Sequence, residues 1–160
     1  MGDHRDWTGW RFELTSCREY IELSFEGVYL RRDSDVTLWA AELRLALAHY
    51  TMPMDMLLDL RGLEVSARCG DTCSRELGEI FDRHAASIAY YGASTDTLDA
   101  LEPCLRGRTQ QSDSIRSRSP ALAQLMQNRR RRLGLLPMAH LSRDFLAGGN
   151  GWDESGAAFI

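Results

Sequence analysis

The side chains with reactive chemistry are few and mostly scattered. Cys69-Gly-Asp-Thr-Cys73 sets two thiols four positions apart, in a stretch that also holds Ser66, Thr72 and Ser74. Thiols and hydroxyls gathered at a helix start suit three kinds of chemistry. A thiolate of lowered pKa serves redox exchange, a phosphorylated hydroxyl is held by free amides and the helix dipole, and an unmodified hydroxyl simply caps the first turn. Zinc asks for more, because no second cysteine pair or histidine pair stands at ligand spacing and His4, His49, His84 and His140 are far apart. No metal and no cofactor is expected. Asp55 and Asp59 flank one short apolar run, where carboxylates do acid and base work or form ordinary strand-end turns. The chain has no Gly-x-Ser-x-Gly elbow, no His-Glu-x-x-His and no phosphate loop, and Cys69 with His84 lacks an identifiable third partner. The reading is therefore a non-catalytic protein, with His84 as a packing residue.

The elements that must position these residues follow from periodicity. Trp10, Phe12 and Leu14 alternate with polar neighbours, as do Ile21, Leu23 and Phe25 in the run Tyr20 to Glu26, which predicts two half-buried strands. Gly27 interrupts the second before Val28-Tyr29-Leu30. From Val36 the step changes to three and four, through Trp39, Ala40, Leu43, Leu47 and Tyr50, which predicts a helix capped by Ser34 or Asp35. Met56 to Leu60 reads as a central strand buried on both faces. Residues 62–70 read as a loop, Cys73 to His84 as a second amphipathic helix, and Ser87 to Tyr91 as another interior strand. Ser94 or Thr95 opens a short helix that Pro103 should stop or kink. After a polar linker, Ser119 caps a last helix from Pro120, ended by Gly134 and Pro137. One more short element is expected within Met138 to Leu146, and the glycine-rich stretch around Trp152 reads as a flexible tail. The order predicts an α/β fold: a mixed sheet of about four to five strands with helices packed on it, plus a C-terminal helical basic extension.

Composition separates that body from its extension. All 19 basic residues are Arg, against 23 acids, and the net charge of −4 argues against a dedicated nucleic-acid binder. From Arg106 to Arg132 there are eight Arg and one acid, a local +7, whereas the other 11 Arg and 22 acids leave −11. Such an arm either contacts an acidic partner or folds back on the acidic body. Arg129, Arg130, Arg131 and Arg132 point around most of a helix circumference, so that turn reads as solvated or partner-bound. Contact with anionic lipid or another acidic surface fits the arm, but specific nucleic-acid recognition is not expected, since aromatic residues for base stacking are missing from it. No apolar run reaches the ~20 residues of a membrane span. The polar stretch Met1 to Asp6 is unlike a signal peptide, so four reduced cysteines in the cytoplasm are expected.

One family brings these features together. The two strands, the Glu26-Gly27 corner, the helix from Val36, the strand ending in Asp59, Leu63 four places later and Gly70 before a helix resemble the STAS domain over about residues 10–105. On that reading residues 106–146 are an arginine-rich linker and C-terminal helix, and 147–160 a flexible tail. The family includes anti-sigma-factor antagonists, and the resemblance implies a regulatory domain that docks a kinase-like anti-sigma factor or related protein. Its contact surface would run over Ser66 to Ser74, with Gly70 and Asp71 facing the partner and Gly70→Arg disturbing docking without disturbing folding. Where the family carries its phosphorylatable hydroxyl this chain has Cys69, and Ala67 stands at the motif's acidic position. Ser66, Thr72 and Ser74 are the substitute acceptors, and Cys69 a redox-sensitive alternative. The degenerate motif also resembles a looser group of STAS-like domains related to lipid-carrying Sec14 modules, which implies small-ligand or lipid binding with a basic membrane-facing or anion-facing arm.

Overall fold

Alternating apolar residues build a sheet with two unlike faces. In a computed structural model, which describes residues 3–7, 10–109 and 117–135, the strands are β1 (Asp3–Trp7), β2 (Trp10–Ser16), β3 (Tyr20–Glu26), β4 (Val28–Leu30), β5 (Met54–Asp59), β6 (Leu63–Val65) and β7 (Ala85–Tyr91). The helices are α1 (Asp33–Leu47), α2 (Gly70–His84), α3 (Thr95–Leu105) and α4 (Arg118–Arg132). The main sheet runs β1-β2-β3-β5-β7, and β4 pairs with β6 in a small second sheet. β1, β2 and β3 are antiparallel, whereas β5 and β7 join in parallel, each after a helical crossover. The mixed α/β fold is thus the one the periodicity predicts.

Register decides which residues share a face. Phe12 stands opposite Phe25, and Leu14 opposite Leu23. With Met56, Leu58 and Ile88 these residues pack against Val36, Trp39, Leu43 and Leu47 of α1 and the apolar sides of α2 and α3. The other face carries Leu57, Ala89 and Tyr91, and only Ala121 and Leu125 of α4 are buried against them. β5 is buried on both faces, as its unbroken apolar run requires. Gly27, at φ 64°, makes the corner that carries β4 out of the main sheet.

Several boundaries differ from expectation for identifiable reasons. β7 ends the strand order among the described residues and so is an edge strand rather than an interior one; alternation reports faces, not neighbours. Residues 62–70 are not simply a loop, because Leu63 and Val65 bury on either side of exposed Glu64 and pair with β4, and Ala67–Cys69 then makes a 3-10 turn. α3 continues past Pro103 to Leu105. Pro103 and Asp99 both lie on its exposed face, so the carbonyl that the proline leaves unserved stands at the solvent side, while Leu101, Cys104 and Leu105 bury. At α1 the helix begins at Asp33, and the Asp35 carboxylate accepts the amides of Arg31 and Arg32 from within the first turn. α4 begins at Arg118, two residues before Pro120.

Two units divide the chain at Arg129. The first holds both sheets, α1 to α3 and α4 as far as Arg129. Of the second, the described part is the last turn of α4 and the bend at Gly134, whose φ is 70°. The element expected within Met138 to Leu146, the tail and Trp152 lie outside the described residues, as does the linker between Gln110 and Arg116.

Candidate functional site

The segment singled out by its thiols and hydroxyls is largely structural. Ser66 opens the 3-10 turn, its Oγ accepting the Arg68 amide at 3.4 Å. Cys69 is 1% exposed, and its Sγ donates to the carbonyls of Leu30 at 3.2 Å and Ser66 at 3.3 Å. Burial pushes this thiol's pKa up, the opposite of what a redox-active thiolate at a helix start needs. Cys69 is an apolar filler that ties the 3-10 turn to the end of β4. Gly70, which the resemblance would turn toward a partner, is buried instead. A Cβ there would stand 3.4 Å from that of Ala100, and one at Gly78 would stand 3.8 Å from that of Cys104, ordinary contact distances that place both glycines against α3. Arginine at position 70 would part the two helices. Ser74 is also buried. Only Ser66, Asp71 and Thr72 of the expected switch residues keep solvent access.

Next to this segment lies an open groove of about 680 Å³, at the carboxyl ends of β4 and β6 and beside the N-terminus of α3. Outside strand ends is where α/β folds commonly bind their ligands. Ser94 caps α3, with its Oγ accepting the Thr97 amide, and Thr97 Oγ1 donates to the Leu63 carbonyl at 3.0 Å, which fixes α3 to β6. Tyr29, Arg31, Glu64, Ser66, Arg68 and Asp96 are also part of the lining. Tyr29 is 49% exposed. The guanidinium groups of Arg31 and Arg68 make no ion pair among the described residues. Of the lining, Tyr29, Arg31, Arg68 and Asp96 are not residues the sequence singles out as a site, although Val28-Tyr29-Leu30 turns Tyr29 outward by simple alternation.

The basic arm is divided between the body and solvent. Arg118 donates three bonds to Glu22, of 2.8, 3.1 and 2.7 Å, and one to Tyr20 Oη at 2.9 Å. Arg129 donates to Asp55 Oδ2 at 3.0 Å and to the Glu19 carbonyl at 3.1 Å. Asp55 also accepts the Ser87 hydroxyl. Arg108 pairs with Asp82, and Arg106 with Glu102. The expected solvation of four successive arginines therefore fails at the first, which is spent on a carboxylate whose side chain is fully buried. Arg130, Arg131 and Arg132 are exposed. Asp59, at the other end of β5, grips Arg61 through its amide and both ends of its guanidinium. Burial alone would raise the Asp59 pKa, but the Arg61 hydrogen bonds outweigh it and the net direction is down. Arg61 lies 5.5 Å over the Tyr91 ring. Both aspartates are thus held in ion pairs, Asp55 with Arg129 and Asp59 with Arg61. Among the described residues no group of three or more His, Cys, Asp or Glu is placed to hold a metal ion.

Compared with protein-family models and with curated proteins, the chain gives no match.

Proposed function

We propose that this chain is a non-catalytic, cytoplasmic regulatory domain that docks a protein partner, as the resemblance to anti-sigma-factor antagonists implies. The carrying observation is the groove beside the Ser66 segment, where a half-exposed tyrosine stands among two arginines that make no ion pair with the described residues. Tyrosine and arginine dominate the energetics of protein interfaces, because each buries a large stiff group and still offers a polar tip. The surface differs from that of the resembling family in its center, since Gly70 is buried and the rim residues Tyr29 and Arg68 take its place. A kinase-like anti-sigma factor or a related regulator is the partner class this reading names.

Affinity capture from nuclease-treated lysate of the source organism tests it. The wild-type bait should retain one stoichiometric kinase-like or sigma-regulatory protein. The double substitution Tyr29→Ala, Arg68→Glu should cut its recovery more than tenfold while circular dichroism stays unchanged. Equal capture by that folded variant, or capture of no protein, contradicts the reading.

One observation favours a second reading, contact with an anionic membrane. Leu133 and Leu135 are 53% and 60% exposed next to three exposed arginines. In that case vesicles rich in phosphatidylglycerol, and not neutral ones, should sediment the protein, and added salt should release it.

A further inference from the structure

α1 and α2 are each 15 residues long and cover the same core, yet they turn opposite kinds of surface to solvent. α2 exposes Asp71, Arg75, Glu79, Asp82 and Arg83, every one of them charged. α1, beyond its first residue, exposes only Ser34, Thr37, Leu38, Ala41 and Leu45. A helix over a core ordinarily carries its charges on the outer face, so α1 is the exception in a chain that is 26% charged.

The outer residues of α1 are also ordered. Leu38, Ala41, Leu45 and the capping Ala48 follow steps of three, four and three, which is the spacing of a helix-pairing seam. At about 100° per residue they share one sector, opposite the core-facing Val36, Trp39, Leu43 and Leu47. Leu38 and Leu45 are each 59% exposed, and both alanines are exposed as well. Glu42 and Arg44 lie half-buried at the flanks, and Arg44 is turned to α2, where it bonds Glu76 at 2.7 Å and Glu79 at 2.9 Å. No residue of this stripe lines the groove.

The order of large and small residues selects the occupant. A second α1 turned end for end about a twofold axis at the level of Leu43 sets position 38 against 48 and position 41 against 45. Each leucine of one copy then meets an alanine of the other, which fills the seam evenly. A parallel pair would stack leucine on leucine and leave a gap between alanines. The antiparallel arrangement also puts the positive N-terminal end of each helix beside the negative C-terminal end of the other. Because the stripe itself holds no Asp, Glu or Arg, two chains of net charge −4 meet there without like charges in the seam. Only the two Glu42 carboxylates come together at a flank, which keeps the pair weak.

We propose that this face is a self-association surface, on which α1 pairs antiparallel with α1 of a second copy through Leu38, Ala41, Leu45 and Ala48. A contact the length of α1 buries on the order of 800 Å² in all, small for a specific interface, so the dimer is reversible with a Kd of about 100 μM. The proposal stands apart from the docking surface above, and its test uses the purified full chain alone. Sedimentation equilibrium between about 10 μM and 1 mM should show the mass rising from one chain toward two. Leu45→Glu and Ala41→Arg, both at exposed positions, should each weaken association at least tenfold while circular dichroism and the urea midpoint stay unchanged. Mixing the two variants should restore a dimer, because the new carboxylate at position 45 of one chain then faces the new guanidinium at position 41 of the other. A wild-type monomer at every concentration overturns the proposal, as does a dimer indifferent to Leu45→Glu or a mixture that stays monomeric. A monomeric wild type that Leu45→Glu destabilises would show instead that the chain covers this face itself, and overturns it too.

Discussion

The Ser66 to Ser74 segment and the arginine arm both look partner-facing in sequence, and the structure uses them in opposite ways. The segment turns inward at its center: Cys69, Gly70 and Ser74 are buried, and what remains outside is its rim. The arm is anchored at intervals, with Arg118 on Glu22 and Arg129 on Asp55, while Arg130 to Arg132 stay at the surface. In the first region apolar packing withdraws residues whose types suggest chemistry. In the second, buried or half-buried carboxylates on the polar sheet face withdraw cations from solvent. The lesson is that partner-facing candidates must be what is left after packing and ion pairing have taken their share.

Four substitutions or titrations break or sharpen this contrast. The largest effect is expected at Gly70→Arg, which forces a long charged side chain between α2 and α3. Urea denaturation should show a loss of about 3 kcal/mol or more. A variant as stable as wild type would mean that position 70 faces outward after all. Next comes Arg129→Ala, which takes a cation from the fully buried Asp55 carboxylate and should cost about 2 kcal/mol, whereas Arg130→Ala one position on should change stability by no more than about 0.5 kcal/mol. Equal effects at the two positions would erase the distinction between Arg129, anchored on Asp55, and exposed Arg130.

A pH series follows in size. His84 has a lowered folded pKa, so the unfolded chain takes up its proton first and stability should fall as pH drops below about 6.5. Asp59 and Glu76 also have lowered values, Glu76 chiefly through its Arg44 hydrogen bond, and their contributions should be lost only further into the acid range. His84→Gln should flatten the stability profile between pH 7 and 5 and leave the acid limb below about pH 4 in place; an unchanged upper slope would show that His84 does not set it. The smallest effect is expected at Ser66→Ala, because the cap it removes is a long bond at 3.4 Å on a single 3-10 turn. Thermal denaturation should register a loss of only about 0.5 kcal/mol.

How much of this was legible depended on what kind of information a residue pattern carries. The apolar face of the sheet and the helices over it were readable, because Ile21, Leu23 and Phe25 or Val36, Trp39 and Leu43 repeat at the step of their element. Strand order was not, and β7 passed for an interior strand because Ile88 and Ala89 bury on opposite faces even at an edge. The pairing of Asp55 with Arg129 spans 74 positions and leaves no local trace. The arm's folding back was among the alternatives its charge allowed, but which arginines would be anchored depended on carboxylates brought close by the fold. Alternation in Val28-Tyr29-Leu30 turns Tyr29 outward but does not mark it as part of a groove, and the burial of Gly70 against α3 depends on tertiary packing that no local pattern carries.

The most direct test of the proposed docking surface is site-specific photocrosslinking in the source organism, with a photoreactive amino acid placed at Tyr29 in one strain and at exposed Gln127 of α4 in another. The account predicts one prominent covalent adduct with a single regulatory protein from position 29, and none with that protein from position 127. An adduct from position 127 alone, or none from either, would contradict the claim that the groove rim is the docking surface.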